Sequence, residues 1–229
     1  MKGKIVLVTG ADGGLGVHVT KAFLEAGATA IGASRKIQAS EFNHPNLTAI
    51  TSDISTPENA ASLIDLIVKR FGKLDVLVHT VGGFAGGQSI ADTDKTTFQN
   101  MFEINVNTVF YMAQAAIPAL RRSGGGRFIV IGSRQAVEPA AGVGAYSASK
   151  AAAVSLVHTI ALENKDAGMT ANIVLPGTMD TPANRRAMPK ADPASWVQPA
   201  NVASLIVWLA GEGGRDINGA VIPVYGPGA

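Results

Sequence analysis

Tyr146 and Lys150 stand four residues apart in Tyr146-Ser147-Ala148-Ser149-Lys150, a spacing that sets both side chains on one face of a helix. With three tyrosines and ten lysines in 229 residues, roughly 0.13 such pairs arise by chance. A phenol titrating near ~10 is a poor proton donor or acceptor at neutral pH, but a neighbouring cation favours the phenolate and is expected to lower that value. Such a group can protonate or deprotonate an oxygen while hydride moves at carbon. Ser133, thirteen residues before the tyrosine, ends the apolar run 128–132. A hydroxyl at a strand end can donate to a substrate oxygen as it gains negative charge.

Near the start of the chain, Thr9-Gly10-Ala11-Asp12-Gly13-Gly14-Leu15-Gly16 joins an apolar run to a segment of helical period. Glycines in that setting serve a tight turn, close approach to a pyrophosphate and tight helix-on-strand packing, and the helix start offers free N–H groups to phosphate. The spacing G-x-x-x-G-x-G differs from the common G-x-G-x-x-G, and no Lys-Ser/Thr follows the last glycine, so a P-loop is excluded. Gly10, Asp12, Gly14, Leu15 and Gly16 are therefore candidate dinucleotide contacts; the competing reading is a glycine turn without a ligand. Ser34, Arg35 and Lys36 follow the second apolar run, where NAD-preferring folds place an acid for the ribose hydroxyls. A hydroxyl and two cations suit a 2′-phosphate, which Arg35 can bind bidentately, so NADP(H) is favoured with NAD(H) possible. The plainer alternative is a solvated strand exit.

Short apolar runs at 5–8, 29–33, 47–51, 76–78, 128–131 and 173–175 alternate with helical periodicity at 15–23, 63–71, 98–120 and 145–164. Thr56-Pro57-Glu58 reads as an N-cap, a proline at the first helical position and an acid in the first turn. Fully apolar strands alternating with helices predict an α/β fold: one doubly wound (Rossmann) domain over 1–229 with a parallel sheet of six or seven strands. Residues 220–226 read as its last strand, and 178–199 as a substrate lid over the strand ends.

Composition narrows the function classes. Apolar residues at 47% and charged residues at 16% exclude a disordered chain. The absence of cysteine excludes a disulfide framework, a thiolate zinc site and a cysteine nucleophile, and no metal is expected. A net charge of +2 with scattered basic residues argues against nucleic acid as a partner. The apolar runs are too short for a membrane span or a signal-peptide core. A cytoplasmic protein acting on a small molecule is the expectation.

Taken together, the motifs resemble the short-chain dehydrogenase/reductase family over nearly the whole chain. The likeness includes Asp53-Ile54 after the third strand, Asn105-Val106 in the central helix, and Asn172 through Pro176-Gly177 to Thr181. It implies a catalytic set of Asn105, Ser133, Tyr146 and Lys150, in which Asn105 holds a water for a proton relay through Lys150. It further implies cofactor contacts from Asp53 and Ile54 at the adenine, and from Gly82, Tyr146 and Lys150, the last at the nicotinamide ribose. Pro176, Gly177, Thr178, Met179 and Thr181 would meet the nicotinamide end. A homo-dimer or homo-tetramer built on the helices of Asn105 and Tyr146 is implied as well.

The chain also departs from that family. Its usual Asn-Asn-Ala-Gly after the fourth strand is His79-Thr80-Val81-Gly82 here, so the central sheet must be braced differently. His79 reads as a hydrogen-bonded structural residue, and Arg134 as an ion-paired residue with an anionic substrate as the alternative. Trp208 is expected in the core and Trp196 in the lid. Segments 81–87 and 180–192, with Ser195-Trp196, are similar to dihydropteridine reductase and flank the site; Phe84 and Trp196 within them, and Arg134 directly after Ser133, are candidate substrate contacts. Those reductases favour NADH, carry an acid near the position of Ser34 and lack the serine of the catalytic set. Retained Ser133 and Asn105 favour NADPH-dependent reduction of a carbonyl to an alcohol, or the reverse. Reduction of a pteridine or another heterocycle is the alternative, and a non-catalytic dinucleotide sensor a remote one.

Overall fold

A computed structural model describes residues 1–226; residues 227–229 of the expected domain lie outside the described residues. Seven parallel strands form one sheet in the order β3-β2-β1-β4-β5-β6-β7. They are β1 (Ile5–Thr9), β2 (Thr29–Ser34), β3 (Leu47–Thr51), β4 (Val76–His79), β5 (Arg127–Ile131), β6 (Thr170–Pro176) and β7 (Val221–Val224). The helices are α1 (Gly16–Glu25), α2 (Pro57–Phe71), α3 (Lys95–Phe102), α4 (Thr108–Arg122), α5 (Gly144–Asn164), α6 (Pro182–Ala187) and α7 (Pro199–Ala210).

Strand residues alternate between two apolar layers because successive side chains leave opposite faces. Ile5, Leu7, Leu77, Phe128 and Ile173 join one core with residues of α2, α4 and α5. Val6, Val8, Val78, Ile129 and Val174 join the other with residues of α1 and α7. Burial on both faces explains why the strands are uninterrupted apolar runs rather than alternating ones. Helix α2 begins as its sequence requires: Thr56 Oγ1 accepts from Asn59 N at 3.3 Å, and Gly72 ends the helix with φ +79°.

Strand order reverses between β1 and β4, which pair through Thr9 and His79 at their C-terminal ends. A crevice opens outside the strand ends at such a reversal, and ligands of this architecture bind there. The central helical segment expected over 98–120 is not uniform. Between α3 and α4 lies a widened turn with π-type hydrogen bonding, Glu103–Asn107, and Asn105 sits in its middle. Such widened turns are frequent at functional sites.

Candidate active site

The glycine turn lies between β1 and α1. Gly10 has φ +73°, and a Cβ there would stand 2.8 Å from Thr80 Oγ1. At Gly16 a Cβ would overlap the carbonyl oxygen of Gly10, so the start of α1 can press on the turn only as glycine. Gly14 faces Thr181, whose Cγ2 would lie 2.8 Å from an added Cβ; the turn and the segment after β6 thus meet directly. The backbone N–H groups of Gly14, Leu15 and Gly16 donate to no acceptor among the described residues. Unpaired donors at a helix start, fronted by an exposed glycine backbone, fit a pyrophosphate.

The other candidate groups gather beside this turn. Lys150, on α5, is buried, and its Nζ donates to Ile131 O at 3.1 Å. Burial lowers its pKa to about 8. Asn105 accepts from Gly83 N–H at 3.0 Å, while its amide donates to Gly83 O at 3.1 Å and to Ser149 Oγ at 3.0 Å. Ser149 Oγ in turn donates to Tyr146 O at 2.7 Å, which ties the widened turn to the first turns of α5. A Cβ at Gly82 would lie 3.0 Å from both Asn105 Oδ1 and Lys150 Nζ, so amide and ammonium converge on one glycine.

Ser133, at the end of β5, donates to Gln135 Oε1 at 2.5 Å. Burial raises the Tyr146 phenol above its ordinary value, and the neighbouring Ser133 hydroxyl opposes that shift. The expectation that Lys150 lowers the phenol is therefore not met. The ammonium is directed to the Ile131 carbonyl, and loss of solvent around the ring dominates.

A family model described as short chain dehydrogenase matches residues 4–192. The chain belongs to the short chain dehydrogenase family. Over 99% of its length it is 31% identical to an Arabidopsis thaliana protein named NADPH-dependent aldehyde reductase-like protein, chloroplastic, and the match covers 94% of that relative. It is also 31% identical to the dihydropteridine reductase of Dictyostelium discoideum, over 96% of this chain and 93% of the relative. The solved aldohexose dehydrogenase of Thermoplasma acidophilum superimposes with a TM-score of 0.89 at 28% identity, covering 99% of this chain and 94% of that one.

The dehydrogenase braces its central sheet through the residues that depart from the family pattern. His79 is fully enclosed between Thr9 Oγ1, 3.0 Å from Nδ1, and Thr108 Oγ1, 3.2 Å from Nε2. Thr108 Oγ1 donates its own proton to Ile104 O at 2.7 Å. It therefore accepts from His79, which fixes the Nε2–H tautomer and leaves Nδ1 to accept from Thr9. Burial, with a smaller contribution from the charge of Lys150, lowers the His79 pKa to about 3. Thr80 Oγ1 donates to Thr9 O at 2.7 Å and lies 3.2 Å from Gly10 O, holding the glycine turn to β4.

The remaining candidates fall into distinct settings. Asp53 is exposed, and its Oδ1 accepts from Ser55 N at 3.1 Å; Ile54 beside it is buried. Ser34 Oγ accepts from Lys36 N at 3.3 Å, and Arg35 is exposed without an ion pair among the described residues. Pro176 ends β6, and Gly177 fits closely against Tyr225, whose carbonyl oxygen would be 2.7 Å from a Cβ. Thr178 and Met179 continue into the expected lid, where Thr178 O accepts from Val197 N at 2.8 Å and Met179 pairs with Val197. Thr181 caps α6 by accepting from Asn184 N at 3.2 Å.

Phe84 is 68% exposed, and its ring meets Tyr146 edge-on with centroids 5.0 Å apart. Arg134 is engaged elsewhere, paired with Glu138 at 2.7 Å and seated 4.8 Å over the Tyr225 ring. Trp208, expected in the core, is instead 50% exposed, whereas Trp196, within the segment expected to be the lid, is buried at 8%. Thr80, Gln135 and Ser149 are the site residues that sequence reasoning missed. The only signal for Thr80 was its place in the departing His79-Thr80-Val81-Gly82.

Proposed function

We propose that this dehydrogenase reduces a carbonyl to an alcohol with NADPH, or runs the reverse oxidation, using Tyr146 as the acid and base. The observation that carries the reading is the gathering of Ser133, Tyr146, Lys150 and Asn105 at the strand ends beside a glycine turn with unpaired N–H donors. The bound cofactor would supply a hydride to the carbonyl carbon. Tyr146 passes its phenolic proton to the carbonyl oxygen, and Ser133 exchanges Gln135 for that oxygen as negative charge develops on it. Lys150 holds positive charge in a buried setting and would hold the ribose, while Asn105 beside it would keep a water through which Lys150 returns a proton to Tyr146.

The turn of Gly10, Gly14, Leu15 and Gly16 takes the pyrophosphate, Asp53 and Ile54 the adenine, and Pro176, Gly177, Thr178, Met179 and Thr181 the nicotinamide end, with Asp12 and Gly82 as further cofactor contacts. Contact between Thr181 and Gly14 supports residues 178–199 as a lid. Ser34 and Arg35 take the 2′-phosphate, a role supported by an exposed guanidinium and by the NADPH named for the Arabidopsis relative. Exposed Phe110 on α4 and Leu162 on α5 support a homo-dimer or homo-tetramer packed through those helices. No helix is long and apolar enough to cross a membrane among the described residues, in keeping with a cytoplasmic protein.

Side-by-side fluorescence titration with NADPH and NADH tests the cofactor assignment. NADPH is expected to bind roughly ten- to a hundredfold more tightly, and Arg35→Glu to erase that preference. Preference for NADH in the unaltered protein would overturn the role of Arg35.

One observation favours a second reading, reduction of a planar heterocycle such as a pteridine. The exposed Phe84 ring beside Tyr146 is a stacking surface, and the Dictyostelium relative is named a dihydropteridine reductase. A kcat/KM for quinonoid dihydropterin far above that for every aldehyde and ketone would put this reading first.

A further inference from the structure

Beside Tyr146, the loop after β4, Thr97 of α3 and the start of α5 line a half-open cavity of about 330 Å³. Phe84 and Ala145 line it, and both adjoin Tyr146, one through the edge-on ring contact and the other through the chain. Its walls are pinned to each other, since Gly87 N–H donates to Gly142 O at 2.8 Å. A Cβ at Gly86 would stand 2.8 Å from both Phe84 Cζ and Val143 Cγ1, and one at Gly144 would overlap Ile90 Cδ1. The walls thus meet through one backbone hydrogen bond and through glycine backbone packed against the side chains of Phe84, Val143 and Ile90.

The polar lining comes from the side chains of Gln88, Thr93 and Thr97, and no lining residue is ionisable. Both threonine hydroxyls have already placed their protons. Thr93 Oγ1 donates to Ser89 O at 2.8 Å, and Thr97 Oγ1 to Asp94 Oδ2 at 2.7 Å. Hydrogen bonds from Thr97 hold the Asp94 carboxyl below its ordinary value, so that partner is a carboxylate that only accepts. The threonines therefore offer lone pairs alone. A carboxylate or phosphate entering the cavity would meet no cation and, among side chains, only the Gln88 amide as a donor. A hydroxyl or amino group would meet acceptors.

We propose that this cavity is the specificity subsite of the enzyme. It receives an uncharged group that donates hydrogen bonds, carried on an apolar or planar body that lies against Phe84, while the carbonyl is held at Tyr146. The inference rests on the reading of Tyr146 as the proton donor, and it names the substrate class that reading leaves open.

Three aldehydes with one shared ring test it: para-(hydroxymethyl)benzaldehyde, para-(methoxymethyl)benzaldehyde and para-carboxybenzaldehyde, each with NADPH. They are compared in the unaltered protein and in a variant carrying Gln88→Leu, Thr93→Val and Thr97→Val, with Gln88→Leu alone as a second variant should the triple change fail to fold. Intrinsic carbonyl reactivity cancels between proteins. The unaltered enzyme should prefer the hydroxymethyl over the methoxymethyl compound by roughly tenfold in kcat/KM, mostly through KM. The carboxylate should be the poorest of the three, and the variants should bring the hydroxymethyl preference toward one. An unchanged ratio in the variants, or preference for the carboxylate, overturns the subsite. If NADPH binds but no aldehyde is reduced, the role of Tyr146 fails separately. Saturation-transfer NMR of the three compounds on the NADPH complex then judges the cavity, and equal transfer to all three overturns it.

Discussion

His79 stands where the family pattern has an asparagine, and its surroundings decide what it can contribute. Sealed between two threonine hydroxyls, with Nε2–H donating to Thr108 and Nδ1 accepting from Thr9, it has no room for a second ring proton. Its pKa falls from 6.5 to about 3. The unfolded chain takes up that proton near pH 6.5 and the folded chain only near pH 3, so acid favours unfolding across this window. Stability linked to His79 is fully present above pH 6.5 and is lost as pH falls toward 3, by about 5 kcal/mol at full extent. Chemical denaturation between pH 7 and pH 4 should show this loss in the unaltered protein and a shallower one in His79→Asn. Equal slopes in both proteins would mean that the histidine is not sealed as described. The same residue-scale reasoning explains why Arg134 is a poor candidate for anion recognition: its guanidinium is already shared between Glu138 and the Tyr225 ring.

At the scale of elements, the glycine turn shows how backbone contact sets position. The N-terminus of α1 touches the turn where Gly16 meets the Gly10 carbonyl, and neither partner is a side chain that can swing aside. Gly16→Ala should lower stability by about 3 kcal/mol, read as a drop in Tm, with loss of NADPH binding. A variant with unaltered Tm and cofactor affinity would refute that packing. The strands and the cap at Thr56 were legible because each depends on local residue types and periodicity. So was the Tyr146/Lys150 pair, whose spacing is a property of one helix. The widened turn at Glu103–Asn107 was not legible, because it is set by what Asn105 reaches on Gly83 and Ser149 rather than by its own sequence. The bracing by His79 and Thr80 joins residues of separate strands, and no spacing rule foretells it. Periodicity placed Trp208 on an apolar face of α7 without saying which part of that face docks, and the ring is half exposed.

At the scale of the whole molecule, the order of seven strands brings together groups that are far apart in the chain. Thr9, His79, Ile131 and Pro176 end β1, β4, β5 and β6 on one rim of the sheet. The glycine turn, Lys150 with its Ile131 partner and the segment after Pro176 therefore share one crevice, with the apolar layers beneath fixing their separation. That layout matches the proposed division of labour: NADPH along the β1 side, the carbonyl at Tyr146, and the substrate's distal group in the cavity past Phe84. Its most direct test is Tyr146→Phe, assayed with a simple aldehyde in single-turnover mode while NADPH affinity is measured by fluorescence on the same preparation. The account predicts that hydride transfer falls by roughly 10²–10⁴-fold with NADPH affinity changed no more than a few fold. Retention of most of the turnover would contradict the assignment of Tyr146 as the proton donor.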